Sequence, residues 1–299
     1  MLIPELHEIS NGNQRHIARA ISWVENHVNG YWELLKSTSG RTPVIGITGP
    51  PGAGKSTLVN SLVQSLSNSE KKIAILAVDP SSPFNLGSLL GDRLRMQSLF
   101  MLPNVYIRSL SSRGSLGGLT TSIIEVVEIL KQADFDYIII ETVGVGQSEI
   151  EIAGIADTTI VVSVPESGDD IQTLKSGIME IADIFVVNKA DREGASIFAS
   201  HLKKLSHERA DSSWETPVVL TQAIHNIGLQ ELIQKIDSHF LITSQNLYKR
   251  SKLLTEKAFK IIQSQRMTNV THQQLEQDLE EILNKTDFNL FSFVEKYFI

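Results

Sequence analysis

Two hydrophobic rhythms alternate along this chain. Near the start, Ile17, Ala20, Ile21, Val24 and Val28 recur at helical spacing, with Arg15, Arg19 and Glu25 between them. That spacing predicts an amphipathic helix. Asn29-Gly30 is expected to break it, and residues 31–36 to add a second, short helix. Residues 37–43 read as a polar linker. From residue 44 the rhythm changes. Short apolar runs at 44–47, 73–78, 105–108, 137–140, 159–164, 184–187 and 218–220 read as buried strands. Helical stretches separate them, among them 119–132 with Ile123, Val126, Val127 and Leu130 as its stripe. Alternation of strand and helix predicts an α/β domain with a mostly parallel sheet flanked by helices. After about Ser244 glycine disappears and the spacing is helical again. Leu253, Leu254, Ala258, Ile261 and Ile262 form one stripe, and Leu275, Leu279, Ile282 and Leu283 another. The expected organisation is an N-terminal helical cap (1–40), a sheet domain (41–241) and a C-terminal helical arm (242–299).

The polar motifs fall after strands. In such a sheet that edge is where ligands bind. Gly49-Pro50-Pro51-Gly52-Ala53-Gly54-Lys55-Ser56 follows the first strand and fits G-x-x-x-x-G-K-[ST]. The glycines let successive backbone N–H groups turn onto a phosphate, and the helix opening at Thr57 adds its positive end. Gly49, Gly52, Ala53, Gly54, Lys55, Ser56 and Thr57 are therefore candidate nucleotide contacts. Lys55 would reach the β- and γ-phosphates, and the Ser56 hydroxyl would ligate Mg²⁺. The fold expected is that of a P-loop NTPase.

Asn188-Lys189-Ala190-Asp191 follows another strand and selects the base. A carboxylate at Asp191 can accept from both N1–H and the N2 amine of guanine. Adenine offers no such pair, and leaving the carboxylate unpaired is costly. Asn188 can position the loop and contact the base edge, and the Lys189 stem can lie along the ring. Thr221, Gln222 and Ala223, after the last strand, are the candidates for covering the base from the other side. The expected substrate and product are therefore GTP and GDP.

Phosphoryl transfer depends on positioned charge, so strand-end carboxylates matter. Asp79, Asp92 and Glu141 are candidate Mg²⁺ ligands beside Ser56. Glu141-Thr142-Val143-Gly144 resembles the element that senses a γ-phosphate through a glycine N–H, with Gly144 as sensor. Gln147 is a candidate catalytic residue, and the sequence leaves open which residue orients the attacking water.

Composition narrows the partners. The net charge of −7 argues against general nucleic-acid or anionic-membrane binding. No apolar run approaches the ~20 residues of a membrane span. The first residues lack the features of a secretory signal, and with no cysteine the cytoplasm is the expected compartment. A nickel or zinc metallochaperone would present Cys or His clusters, but there is no Cys and the eight His are scattered. A kinase needs an acceptor site and a base, and no residues suggest either.

Taken together, the chain resembles the MeaB/ArgK family within the SIMIBI class of P-loop GTPases. The resemblance rests on Gly49–Ser56, Asp79-Pro80-Ser81-Ser82-Pro83, Gly91-Asp92-Arg93-Leu94-Arg95-Met96, Arg113-Gly114-Ser115-Leu116-Gly117-Gly118, Glu141-Thr142-Val143-Gly144-Val145-Gly146-Gln147-Ser148-Glu149 and Asn188–Asp191. It implies a GTP hydrolase that chaperones an adenosylcobalamin-dependent acyl-CoA mutase of the methylmalonyl-CoA type, gating cofactor loading and protecting the mutase. It implies Mg²⁺ near Ser56, Asp79, Asp92 and Glu141, and a mobile loop over 165–175 in which Asp169 and Lys175 couple nucleotide state to the mutase. It also implies a homodimer through the C-terminal helices. An older family label ties it to a kinase of basic amino-acid transport. This chain departs from relatives at Pro165-Glu166-Ser167-Gly168 and at Phe84–Ser88, and its C-terminal arm is short. Pro50 and Pro51 stand where the wider class carries a lysine that crosses a dimer interface, so no such lysine is expected.

Overall fold

The computed structural model describes residues 4–36, 41–79, 96–111, 122–142, 151–165, 178–207 and 214–266, with positions 275, 277–279, 293 and 297 beyond them. It contains one seven-stranded sheet: β1 (Val44–Thr48), β2 (Ile73–Asp79), β3 (Val105–Ser111), β4 (Tyr137–Thr142), β5 (Thr158–Ser163), β6 (Ile184–Val187) and β7 (Val218–Leu220). The order across the sheet is β3-β2-β4-β1-β5-β6-β7. Every neighbouring pair is parallel. Each return therefore crosses over the sheet through other structure, and helices bury both faces. That explains why β1, β4, β5 and β6 are buried along their whole length rather than alternately.

Among the described residues the α-helices are α1 (Leu6–Ser10), α2 (Gln14–Glu25), α3 (Tyr31–Lys36), α4 (Lys55–Asn68), α5 (Ser122–Gln132), α6 (Ile178–Ile181), α7 (Ala195–His207), α8 (Leu229–Gln245) and α9 (Leu247–Arg266). One face of the sheet, including Ile45, Ile47, Ile75, Ile139, Ile160 and Val186, packs with Leu58, Val59 and Leu62 of α4 and Leu232 and Ile236 of α8. On the other face, Val161, Phe185, Val187 and Val218 meet Phe198 and Leu202 of α7. Each such side chain contributes roughly 1.5–3 kcal/mol by leaving water. β1 carries Gly46 because a Cβ there would lie 2.6 Å from the Ile152 side chain.

Compact regions divide at residue 254 into Met1–Leu254 and Thr255–Ile299. Within the second, the Phe293 and Tyr297 rings lie 5.6 Å apart, and the Tyr297 hydroxyl donates to Asp278. Phe288, Phe291 and Phe298, the other aromatic residues near the C-terminus, lie outside the described residues. So do residues 119–121 at the start of the helix expected to run to 132.

The N-terminal helix ends sooner than its apolar stripe suggests. α2 stops at Glu25, four residues before Asn29. His27 takes a left-handed backbone (φ 46°), and the His27 and Val28 N–H groups donate to the Val24 and Trp23 carbonyls. This is the Schellman arrangement that satisfies the last turn of a helix. Val28 is thus a capping residue rather than the end of the stripe.

α2 packs on α5, where Glu125 is buried. His27 Nε2, half-exposed, lies 3.8 Å from the Glu125 carboxyl. Burial pushes the Glu125 carboxyl up to about 7. The unfolded chain, near 4.5, binds fewer protons than the folded chain between those values. Stability from this group is therefore present below pH 4.5 and lost as pH rises to about 7. Glu125→Gln is expected to be more stable than the parent at pH 8, by at most ~3 kcal/mol. The difference should shrink toward pH 5, as read by urea melts at both values. A pH-independent difference would exclude this cause.

Candidate functional site

Because all seven strands run one way, their carboxyl ends share one edge. β1 and β4 are aligned with Ile47 opposite Glu141, and β6 and β7 with Val187 opposite Leu220. The loops after β1, β2, β4, β6 and β7 all leave from this edge, as the polar motifs require.

The loop after β1 depends on glycine at two positions. Gly49 has φ 142°, and a Cβ there would fall 2.1 Å from the Val162 carbonyl oxygen. Gly54 caps α4 in the left-handed region (φ 84°). A Cβ on it would stand 2.5 Å from the Asn188 Nδ2. The first turn of α4 itself carries no acidic residue, and the positive end of a helix favours an anion.

Lys55 opens α4 and is buried. Its Nζ donates to the Gly49 carbonyl at 2.7 Å and the Pro50 carbonyl at 3.0 Å. The cation is thereby held across the loop rather than in solvent. Ser56 follows, and its hydroxyl donates to Glu141 Oε1 at 2.6 Å. Glu141 is itself buried at the end of β4. A hydroxyl and a carboxylate converge here, the hard oxygen donors that suit Mg²⁺. Asp79 ends β2 one residue past the row in which Val78 pairs with Thr142. Its side chain lies outside the described residues, as do Asp92, Gly144, Gln147, Asp169 and Lys175 altogether.

The loops after β6 and β7 meet the phosphate loop through Asn188. Its Nδ2 donates to the Ala53 carbonyl at 3.1 Å. Its Oδ1 accepts from the Thr221 hydroxyl and from the Ala223 N–H, both at 3.2 Å. One buried amide therefore joins three loops. Lys189 is left-handed (φ 56°) without being glycine, a conformation that costs roughly 1–2 kcal/mol. Its Nζ donates to the Gly52 carbonyl at 2.9 Å, so its stem spans from one loop to the other. The Ala190 N–H donates to the Thr221 carbonyl at 3.0 Å. Asp191, next along, is exposed. Thr221 and Ala223 are buried, and Gln222 bridges to Ile227. The structure thus joins Gly52 and Ala53 to Asn188, Lys189, Thr221 and Ala223, with Glu141 beside Ser56, while Asp191 and Thr57 are exposed.

Sequence reasoning passed over two participants. Ser61 of α4 donates to the Ala223 carbonyl at 2.7 Å. The Thr142 hydroxyl donates to the Thr48 hydroxyl at 2.9 Å, tying the ends of β4 and β1. A lone hydroxyl among the apolar positions Leu58, Val59, Leu62 and Val63 was the available signal for Ser61.

Comparison with known proteins shows the family. The family model described as methylmalonyl Co-A mutase-associated GTPase MeaB matches residues 17–278. A putative GTPase of Pyrococcus abyssi is 43% identical over 273 residues, which cover 88% of this chain and 84% of that protein. GTPase ArgK of Escherichia coli is 35% identical over 243 residues, 77% of this chain and 73% of that protein. Among solved structures, an LAO/AO transport system kinase superposes with a TM-score of 0.69 at 25% identity, covering 98% of this chain and 94% of that one.

Proposed function

The chain belongs to the MeaB family of methylmalonyl-CoA mutase-associated GTPases, and from that premise we propose that it is a Mg²⁺-dependent GTP switch serving an adenosylcobalamin-dependent acyl-CoA mutase. In this reading it gates cofactor loading and protects the mutase. The observation that carries the nucleotide part is the Asn188 amide, which locks the phosphate loop to both loops expected at the base. Guanine is then selected by Asp191, and Thr221, Gln222 and Ala223 line its other side. Gly49, Gly52, Ala53, Gly54 and Thr57 present backbone N–H groups to the phosphates, and Lys55 neutralises the β- and γ-oxygens. Ser56 and Glu141, with Asp79 and Asp92, would hold Mg²⁺. The ion, when bound, supplies positive charge to the phosphate oxygens as the bond to the leaving group breaks. Gly144 senses the γ-phosphate and Gln147 orients water. Asp169 and Lys175 pass the nucleotide state to the partner.

The organisation proposed is a helical cap over 1–40, a GTP-binding domain over 41–241 and an arm over 242–299 that supports a homodimer. Among the described residues no helix is long and apolar enough to cross a membrane. The composition supports a cytoplasmic setting. A pulldown of methylmalonyl-CoA-type mutases, run with GDP and with a non-hydrolysable GTP analogue, tests the switch. Binding is expected to differ between the two nucleotides, and equal capture would remove the switch role. Phosphate release with GTP but not ATP, with no phosphorylated acceptor formed, is the outcome that separates this reading from a kinase.

A further inference from the structure

Helical serines in this chain behave in two ways. Ser22, Ser200 and Ser238 each donate back to the carbonyl four residues earlier in their own helix. That is the usual resting place for a serine hydroxyl inside a helix. Ser61 does otherwise, as do Ser56, Ser67 and Ser206, whose hydroxyls reach Glu141, Asn104 and the Thr216 carbonyl. Ser61 lies in the middle of α4 and donates across the fold, to the Ala223 carbonyl 162 positions away in sequence, at 2.7 Å. It is buried among apolar neighbours, where a hydroxyl is costly unless it is hydrogen-bonded. Packing alone would be served by alanine, the better helix former. The hydroxyl therefore has to be explained by its acceptor.

The acceptor is a residue already held from its other side. The Ala223 N–H donates to Asn188 Oδ1, while the Ala223 carbonyl receives both the Ser61 hydroxyl and the Asn226 N–H. Both polar atoms of Ala223 are thus fixed, one by the loop after β6 and the other by α4. Helix α4 begins at the phosphate loop with Lys55 and Ser56. Ser61, under two turns further on, joins that same rigid element to the loop after β7. A second tie runs alongside, where Gln230 Nε2 donates to the Ser65 hydroxyl at 3.3 Å.

We propose that Ser61 is a positioning residue for base recognition, holding the Thr221–Ala223 loop at a fixed distance from the phosphate site through α4. The inference rests on the reading of that loop as one wall of the guanine site. Ser61 itself touches no nucleotide. It sets the Ala223 backbone, so its loss should blur discrimination between bases while leaving the phosphate contacts intact.

Competition binding on the full chain with GDP and with ADP tests this. Ser61→Ala is expected to weaken GDP about two- to fivefold, the upper limit being the worth of one net hydrogen bond, and to change ADP by less than about twofold. If Ser61→Ala does not fold, Ser61→Cys keeps the size with a weak donor and should show the same loss of ratio. A GDP-over-ADP ratio kept in full, or a parallel loss for both nucleotides, would overturn the role of Ser61 and leave the guanine site standing. A parent chain with no preference for GDP would remove the guanine reading itself, and this inference with it.

Discussion

Lys55→Ala is expected to lower single-turnover GTP hydrolysis by about two to three orders of magnitude. The estimate follows from the charge. A cation about 4 Å from a phosphate oxygen, at an effective dielectric near 20, is worth ~4 kcal/mol. Each 1.4 kcal/mol is about a factor of ten in rate. Exposure to solvent would reduce that value, but Lys55 is buried. It is also aimed, since the Gly49 and Pro50 carbonyls fix its Nζ over the loop. The charge therefore needs little rearrangement to meet the phosphates, and preorganised charge is the largest kind of catalytic contribution. A loss through misfolding is separated by the melting temperature of the variant and by its far-UV circular dichroism. A folded Lys55→Ala chain that keeps turnover within about tenfold of the parent would show that Lys55 does not carry this role.

The sequence exposes the site better than it exposes the reasons the site is rigid. Gly49, Gly54, Lys55 and Ser56 are legible because a phosphate loop tolerates few other residues, and the backbone confirms the demand at Gly49 and Gly54. The sheet was legible because its strands, covered on both faces, read as unbroken apolar runs. Its order was not, since β4 enters between β2 and β1 through contacts remote in sequence. The end of α2 was misjudged for a local reason. A Schellman turn can be built on His27, whereas the sequence signal for such a turn is usually glycine. The Asn188 bridge and the Ser61 tie were hidden for a tertiary reason. Each joins segments that pattern and propensity treat separately, and the left-handed backbone of Lys189 has no sequence signal at all. It is held by the Gly52 carbonyl and the Ala190–Thr221 bond, which exist only once the loops are assembled.

Asp191→Asn is expected to convert a guanine site to a xanthine site. In the proposed site the carboxylate accepts two hydrogen bonds, from N1–H and from the exocyclic amine of guanine. An amide keeps the shape but turns one acceptor into a donor, which then faces the guanine amine. Two opposed donors lose a charge-assisted bond and leave both groups unpaired, so ~3–4 kcal/mol is at stake, or about two to three orders of magnitude in affinity. Xanthine carries a carbonyl where guanine carries the amine, and that carbonyl accepts from the new amide. The expected result is that the ratio of GDP to XDP affinity inverts, while the phosphate half of the site still binds. The fold should tolerate the change, because Asp191 is exposed and lies beyond Asn188 and Lys189, the residues that tie the loops together. Competition of GDP and XDP against a fluorescent nucleotide measures the ratio directly. If Asp191→Asn retained the parent's preference for GDP, the base would be read by other groups. The loops that Asn188 holds together would then need a different ligand on that side of the phosphate loop.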